Sequence, residues 1–249
     1  MKNIKLIYRY DGSGFYGFQR QNRERTVQGE IEKLLKKFLK EDINLTSSGR
    51  TDRGVHALTQ VSNFKSNTPI PAENFSYMLN RKLPEDIIIL KSEEVDDEFH
   101  SRHTAVSRSY LYIIKNKKDY NIYDRNYVTY VDYDINMEKL QEILNPIVGV
   151  HNFESFRSAD CGAEHAVREM QEIRVYSEGE KIVVYLKANA FVKSMVRIIM
   201  GSALAVCKGI REKEYIIKKL NNPDLMDEKL VASPRGLYLN EIIYPEKEK

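Results

Sequence analysis

The sequence predicts an α+β protein built from two tandem ferredoxin-like (RRM-like) units that share a central antiparallel sheet, with a cleft between them. Three observations lead there. Stretches of period-2 alternation and stretches of helical periodicity follow one another in the order β-α-β-β-α-β; that order comes round a second time; and no low-complexity linker parts the two rounds. The expected division is 1–105 for an N-terminal unit and 106–249 for a C-terminal one.

In the first half, residues 4–10 place Ile4, Leu6, Tyr8 and Tyr10 on one face and Lys5, Ile7 and Arg9 on the other, as a strand does. The turn-rich loop DGSGFYGFQRQ follows. Val27, Ile31, Leu34, Leu35 and Phe38 then recur at steps of three and four, giving an amphipathic helix for which Thr26 supplies the N-cap. Strand-like stretches at 43–46 and 58–64 flank the loop SSGRTDRGVHA, a second helix starts near Pro71, and a strand at 87–95 closes the unit.

The second half begins with a strand at 107–115 and a helix whose apolar positions are Met137, Leu140, Ile143, Leu144 and Ile147. Strands at 170–176 and 182–188 flank the turn SEGE. A long helix from 192 to about 206, an extra helix at 212–220 and the closing strand GLYLNEIIY complete the unit.

With 42% hydrophobic residues in 249, the chain can bury a sizeable core. Its 39 basic and 36 acidic residues leave a net charge of only +3, so the placement of the basic residues, and not their number, has to reveal any nucleic-acid partner. Cys161 and Cys207 lie far apart with no Cys-x-x-Cys spacing; neither a metal site nor a disulfide framework is expected. MKNIKLIYRY lacks the apolar core of a signal peptide, and no apolar run approaches the ~18 residues of a membrane span. A soluble cytoplasmic protein without a membrane partner is the expectation.

The segment GRTDRGVHA carries the chemistry. Two glycines bracket Arg-Thr-Asp-Arg between strands, so the backbone can turn sharply and present Asp52 between Arg50 and Arg53. A carboxylate beside cations stays ionised at neutral pH and is available as nucleophile or base, although an Asp in a Gly-containing loop is more often a turn former. Near the start, Arg20, Arg23 and Arg25 adjoin Phe15, Tyr16 and Phe18, a mixture of phosphate-seeking charge and aromatic surface that suits RNA.

GRTDRGVHA resembles the catalytic-aspartate motif of the TruA family, the tRNA pseudouridine synthases that act in the anticodon stem-loop. YDGSGFYGFQRQ, FHSR with RSYLY, HNFESFR, ANAFVKSMVR and GLYL resemble further segments of that family in the same order, so the resemblance spans nearly the whole chain. It implies an enzyme that isomerises uridine to pseudouridine, takes tRNA as its partner, needs no cofactor and no metal, and forms a homodimer that lets one tRNA span two subunits. It also implies roles for single residues. Asp52 is the catalytic carboxylate; Tyr110 stacks on the flipped base and can later remove its C5 proton; Arg197 is the cation for Asp52; Arg50 takes the place of the extruded base or grips a phosphate. Arg20, Arg23, Arg25 and Arg53 are assigned to the RNA, and His56 and His103 are read as structural or RNA-facing.

The chain departs from the family pattern at Phe18, where tryptophan is usual, at Arg53, where alanine is usual, and at Lys193-Ser194, where a histidine-containing pair is common. These departures spare Asp52, Tyr110 and Arg197 and bear on the RNA target. Two other readings stand beside this one: a paralogous synthase modifying ribosomal RNA or another tRNA position, and a non-catalytic RRM-like RNA-binding protein.

Overall fold

The computed structural model describes residues 1–223 and 228–245. Contacts divide the chain into two compact units, Met1–Val106 joined by the stretch from Tyr238, and Ser107–Leu237; a cut after residue 105 would leave that last stretch with the second unit.

The first unit runs β1 (Lys2–Tyr10), α1 (Val27–Leu39), β2 (Thr46–Ser47), β3 (His56–Ser66), α2 (Asn74–Asn80) and β4 (Ile87–Val95). β1 is central, antiparallel to β3 on one side and to β4 on the other, and β2 adds antiparallel to β3. The alternation of β1 does what its pattern requires: Ile4, Leu6, Tyr8 and Tyr10 are all buried. Val27, Ile31 and Leu35 of α1 are buried as well, and Phe64 of β3 meets Phe75 of α2 edge-on at 5.5 Å. Thr26 caps α1 by accepting from the Gly29 N–H at 3.3 Å.

The second unit runs β5 (Ser107–Asn116), β6 (Thr129–Val131), α3 (Met137–Leu144), β7 (Gly149–Asn152), β8 (Val167–Glu178), β9 (Lys181–Ala188), α4 (Met195–Cys207) and α5 (Tyr215–Asn221). β9 lies between β5 and β8, antiparallel to both, and β7 extends β8. Leu140, Ile143 and Leu144 of α3 are buried, and so are Val196, Ile198, Ile199, Met200 and Ala203 of α4.

The architecture is mixed α+β, and its sheet is mixed where an antiparallel one was expected. β6 runs parallel to β5, and the closing strand β10 (Leu237–Ile243) runs parallel to β3 through the pairs Tyr238↔His56 and Leu239↔Ala57. Both parallel strands arrive by long connections, not hairpins, which is what parallel pairing needs.

Local chemistry explains where element boundaries moved. The strand expected at 43–46 shrinks to β2 because the Leu45 N–H donates to the Glu32 carboxylate at 2.9 Å, not to a neighbouring strand. Ile147 falls in a 3₁₀ turn, Asn145–Ile147, since Pro146 has no N–H with which to continue α3. α4 starts at Met195 because Ser194 takes a left-handed conformation at φ +60°, and α2 starts three residues beyond Pro71. Among the described residues, no helix is long and apolar enough to cross a membrane, and both cysteines are free.

Candidate active site

Asp52 lies half-buried in the loop between β2 and β3. That loop is fixed from below by the segment leaving β1. The Phe18 N–H donates to the Thr51 carbonyl at 3.1 Å, Tyr10 and Thr51 share a hydroxyl–hydroxyl bond of 2.7 Å, and the Val55 N–H closes a turn on the Asp52 carbonyl at 3.1 Å. Gly54 follows the aspartate at φ +78°, a conformation that a side chain resists.

The glycines of DGSGFYGFQRQ make the approach possible. A Cβ on Gly12 would sit 2.0 Å from the Val55 carbonyl oxygen, and one on Gly17, itself at φ +94°, would sit 3.2 Å from the Thr51 oxygen and 3.4 Å from the Arg53 nitrogen. The first glycine loop and the aspartate loop therefore pack backbone against backbone. His56, which follows the loop, is buried, accepts from the Gly12 N–H at 3.1 Å and stacks on Tyr238 at 4.7 Å, a structural post. His103 packs against His100 at 4.2 Å, and His100 Nδ1 accepts the backbone N–H groups of Arg102 and His103.

The five arginines assigned to RNA in this unit differ in their surroundings. Arg25 forms a two-pronged ion pair with Asp86 at 2.7 and 2.8 Å and lies over the Phe15 ring at 4.1 Å; the Asp86 hydrogen bonds hold its guanidinium above the usual value. Arg20 pairs with Glu32 at 2.9 Å. Arg23 and Arg50 are exposed, and Arg53 is exposed with its guanidinium 4.0 Å from the centre of the Tyr16 ring.

In the second unit, Tyr110 lies on β5 opposite Leu186, buried, with its ring edge-to-face against Phe191 at 4.9 Å. Tyr112 is two residues on and fully buried. Its hydroxyl donates to the Ser233 carbonyl at 3.0 Å and accepts from Thr129 at 2.8 Å, and burial pushes its ionisation well above the ordinary phenol range. Arg197 is the third residue of α4; its Nε–H donates to the Ala232 carbonyl at 2.9 Å, and the Ala232 N–H returns a bond of 2.9 Å to the Arg197 carbonyl.

Sequence reasoning missed Tyr16 as a partner of Arg53, Glu32 as a buried carboxylate that organises α1, and the two glycine contacts. Only the last had a signal. Three glycines within six residues of an otherwise unpatterned loop mark a backbone that must come close to another.

A glycine-shaped loop presents a carboxylate between exposed arginines on an α+β framework, an arrangement compatible with an enzyme that acts on a polyanion, and the pseudouridine synthases are a class of such enzymes. The family model described as tRNA pseudouridine synthase matches residues 6–103 and 143–245, which contain Asp52, its flanking arginines and Arg197, whereas Tyr110 falls outside the matched segments. The chain belongs to the tRNA pseudouridine synthase A family. It is 38% identical to "tRNA pseudouridine synthase A 2" of Clostridium perfringens over 98% of this chain and 100% of the relative. "tRNA pseudouridine synthase A" proteins of a Thermoanaerobacter species and of Caldicellulosiruptor bescii match at 36% and 38% over the same shares of each chain.

Proposed function

We propose that this tRNA pseudouridine synthase isomerises uridine within the anticodon stem-loop, in the cytoplasm, with Asp52 as the catalytic carboxylate. The observation that carries the proposal is the presentation of Asp52: a half-buried carboxylate on a loop whose backbone is pinned by Tyr10, Phe18 and the glycine contacts, flanked by exposed Arg50 and Arg53. Pinning matters because a nucleophile gains most of its advantage from being held in place before the substrate arrives.

In the reaction, the bond between C1′ and N1 breaks, the base rotates, and a bond forms between C1′ and C5. C5 gives up its proton and N1 takes one, so the atoms balance without a redox or group-transfer partner. Asp52 attacks or deprotonates the sugar as the base departs. Tyr110 stacks on the loose base and takes the C5 proton. Arg197 is the cation for the carboxylate, and Arg50 grips a phosphate or takes the place of the extruded base. The two units as ferredoxin-like halves, and a homodimer across which one tRNA lies, belong to the same proposal.

Mapping of modified uridines in RNA from cells with and without the gene tests the target. Loss of pseudouridine confined to tRNA anticodon stem-loops is the expected result. Loss in ribosomal RNA, or elsewhere in tRNA, would overturn the assignment.

A further inference from the structure

We infer that Arg53 and Tyr16 act as one unit, a pre-oriented guanidinium that grips the RNA phosphodiester beside the uridine held at Asp52. The inference rests on the function proposed above and concerns two residues of the same site. Arg53 directly follows the carboxylate on the pinned loop, so whatever it holds lies within a nucleotide's reach of the reacting sugar. Its guanidinium lies 4.0 Å from the centre of the Tyr16 ring, close enough for a cation–π stack.

The ring is itself held in position. The Tyr16 N–H donates to the Arg25 carbonyl at 2.9 Å, and Gln21 Nε2 donates to the Tyr16 carbonyl at 2.9 Å. Gly17, next in sequence, turns the chain at φ +94° against Thr51 and Arg53. Ring and cation are thus anchored on two segments that touch through their backbones.

Stacking occupies a face of the guanidinium and leaves its in-plane N–H donors for another ligand. Among the described residues, no carboxylate lies within ion-pair distance of Arg53. Arg25 and Arg20, by contrast, are answered by Asp86 and Glu32. An exposed, planar, uncommitted fork of donors matches a phosphate, which a single arginine can take in two-pronged fashion. Tyr16 remains 42% exposed, so the stack is open to a ligand and not sealed in the core.

A double-mutant cycle tests the pair. Affinity for a tRNA transcript is measured by filter retention at several salt concentrations for the wild type, Arg53→Ala, Arg53→Lys, Tyr16→Leu and the Arg53→Ala/Tyr16→Leu double variant, with thermal unfolding as the check on fold. Arg53→Ala is expected to lower the slope of log affinity against log salt by roughly 0.7 to 0.9, the value of one phosphate contact. Arg53→Lys and Tyr16→Leu keep the slope but bind several-fold more weakly, and the double variant binds no more weakly than Arg53→Ala alone. An unchanged slope in folded Arg53→Ala, or losses that simply add in the double variant, would overturn the inference. Pseudouridine formation by the wild type on the same transcript separates the two levels: absent product takes down the proposed function, whereas product with an unchanged slope takes down only the Arg53–Tyr16 pair.

Discussion

Tyr110 and Tyr112 point from the same face of β5, and their hydroxyls predict different outcomes on removal. Tyr110→Phe keeps the ring against Phe191 but deletes the group proposed to take the C5 proton. Single-turnover product formation should fall by about 10²-fold or more, with RNA affinity within a few-fold of wild type; a near-normal rate would show that another group takes the proton. Tyr112→Phe instead removes the bond to the half-buried Ser233 carbonyl and takes from the buried Thr129 hydroxyl its acceptor. It should cost about 1 to 3 kcal/mol of stability, read from the denaturant midpoint. At this scale the sequence was most legible where residue type and position settle a local bond, as at Thr26, which caps α1 through the Gly29 N–H. It was least legible where a partner decides the role: Arg25 is tied to Asp86, 61 positions away, and nothing local to either residue announces the other.

The loop elements around Asp52 depend on glycines, and one of them, Gly17, set against Gly179 in a turn of the second unit, separates crowding from strain. Gly179, in the turn between β8 and β9, sits at φ +60° with nothing within 4 Å of where a Cβ would be. Gly17 combines φ +94° with close approach to the backbone of the aspartate loop. Gly179→Ala should therefore cost about 1 kcal/mol in chemical denaturation and leave product formation at the wild-type level. Gly17→Ala should cost at least as much and also depress product formation, because relief of the contact displaces Thr51 and with it Asp52. Equal activity in the two variants would show that the glycine contact does not position the carboxylate. Element order in the first unit was readable from periodicity, since β1 follows its alternation and Val27, Ile31 and Leu35 of α1 are buried, whereas the buried Glu32 and the short strands β6 and β7 were not. Boundaries failed where a side chain captured a backbone group, as Glu32 does at Leu45, or where φ left the helical region, as at Ser194.

At the scale of the whole molecule, buried phenols in both units set a limit on alkaline stability. Burial raises the ionisation of Tyr8 and Tyr112 far above the ordinary phenol value, and that of Tyr133 to about 12. A phenol held neutral by burial binds its proton more tightly folded than unfolded. Its stabilising effect is therefore whole below pH about 10, the ordinary phenol value, and is lost as pH rises through the folded value. Denaturation midpoints should stay level with respect to these groups below pH about 10 and fall steadily towards pH about 12; a midpoint that holds through that window would contradict the assignment of Tyr8 and Tyr112 to the core and of Tyr133 to a half-buried site. The α+β class followed from the order of elements, but the parallel pairing of β10 with β3 did not, because pairing between segments so distant in sequence leaves no periodicity to read. The central claim, that Asp52 drives isomerisation of uridine in tRNA, has a direct test in the C5 hydrogen that the reaction must expel. With a tRNA transcript carrying tritium at C5 of its uridines, the wild type should release tritium to solvent in step with pseudouridine appearing in the anticodon stem-loop, and Asp52→Asn should release none above background while still binding the RNA. No release by the wild type, or release that persists in Asp52→Asn, would contradict the account.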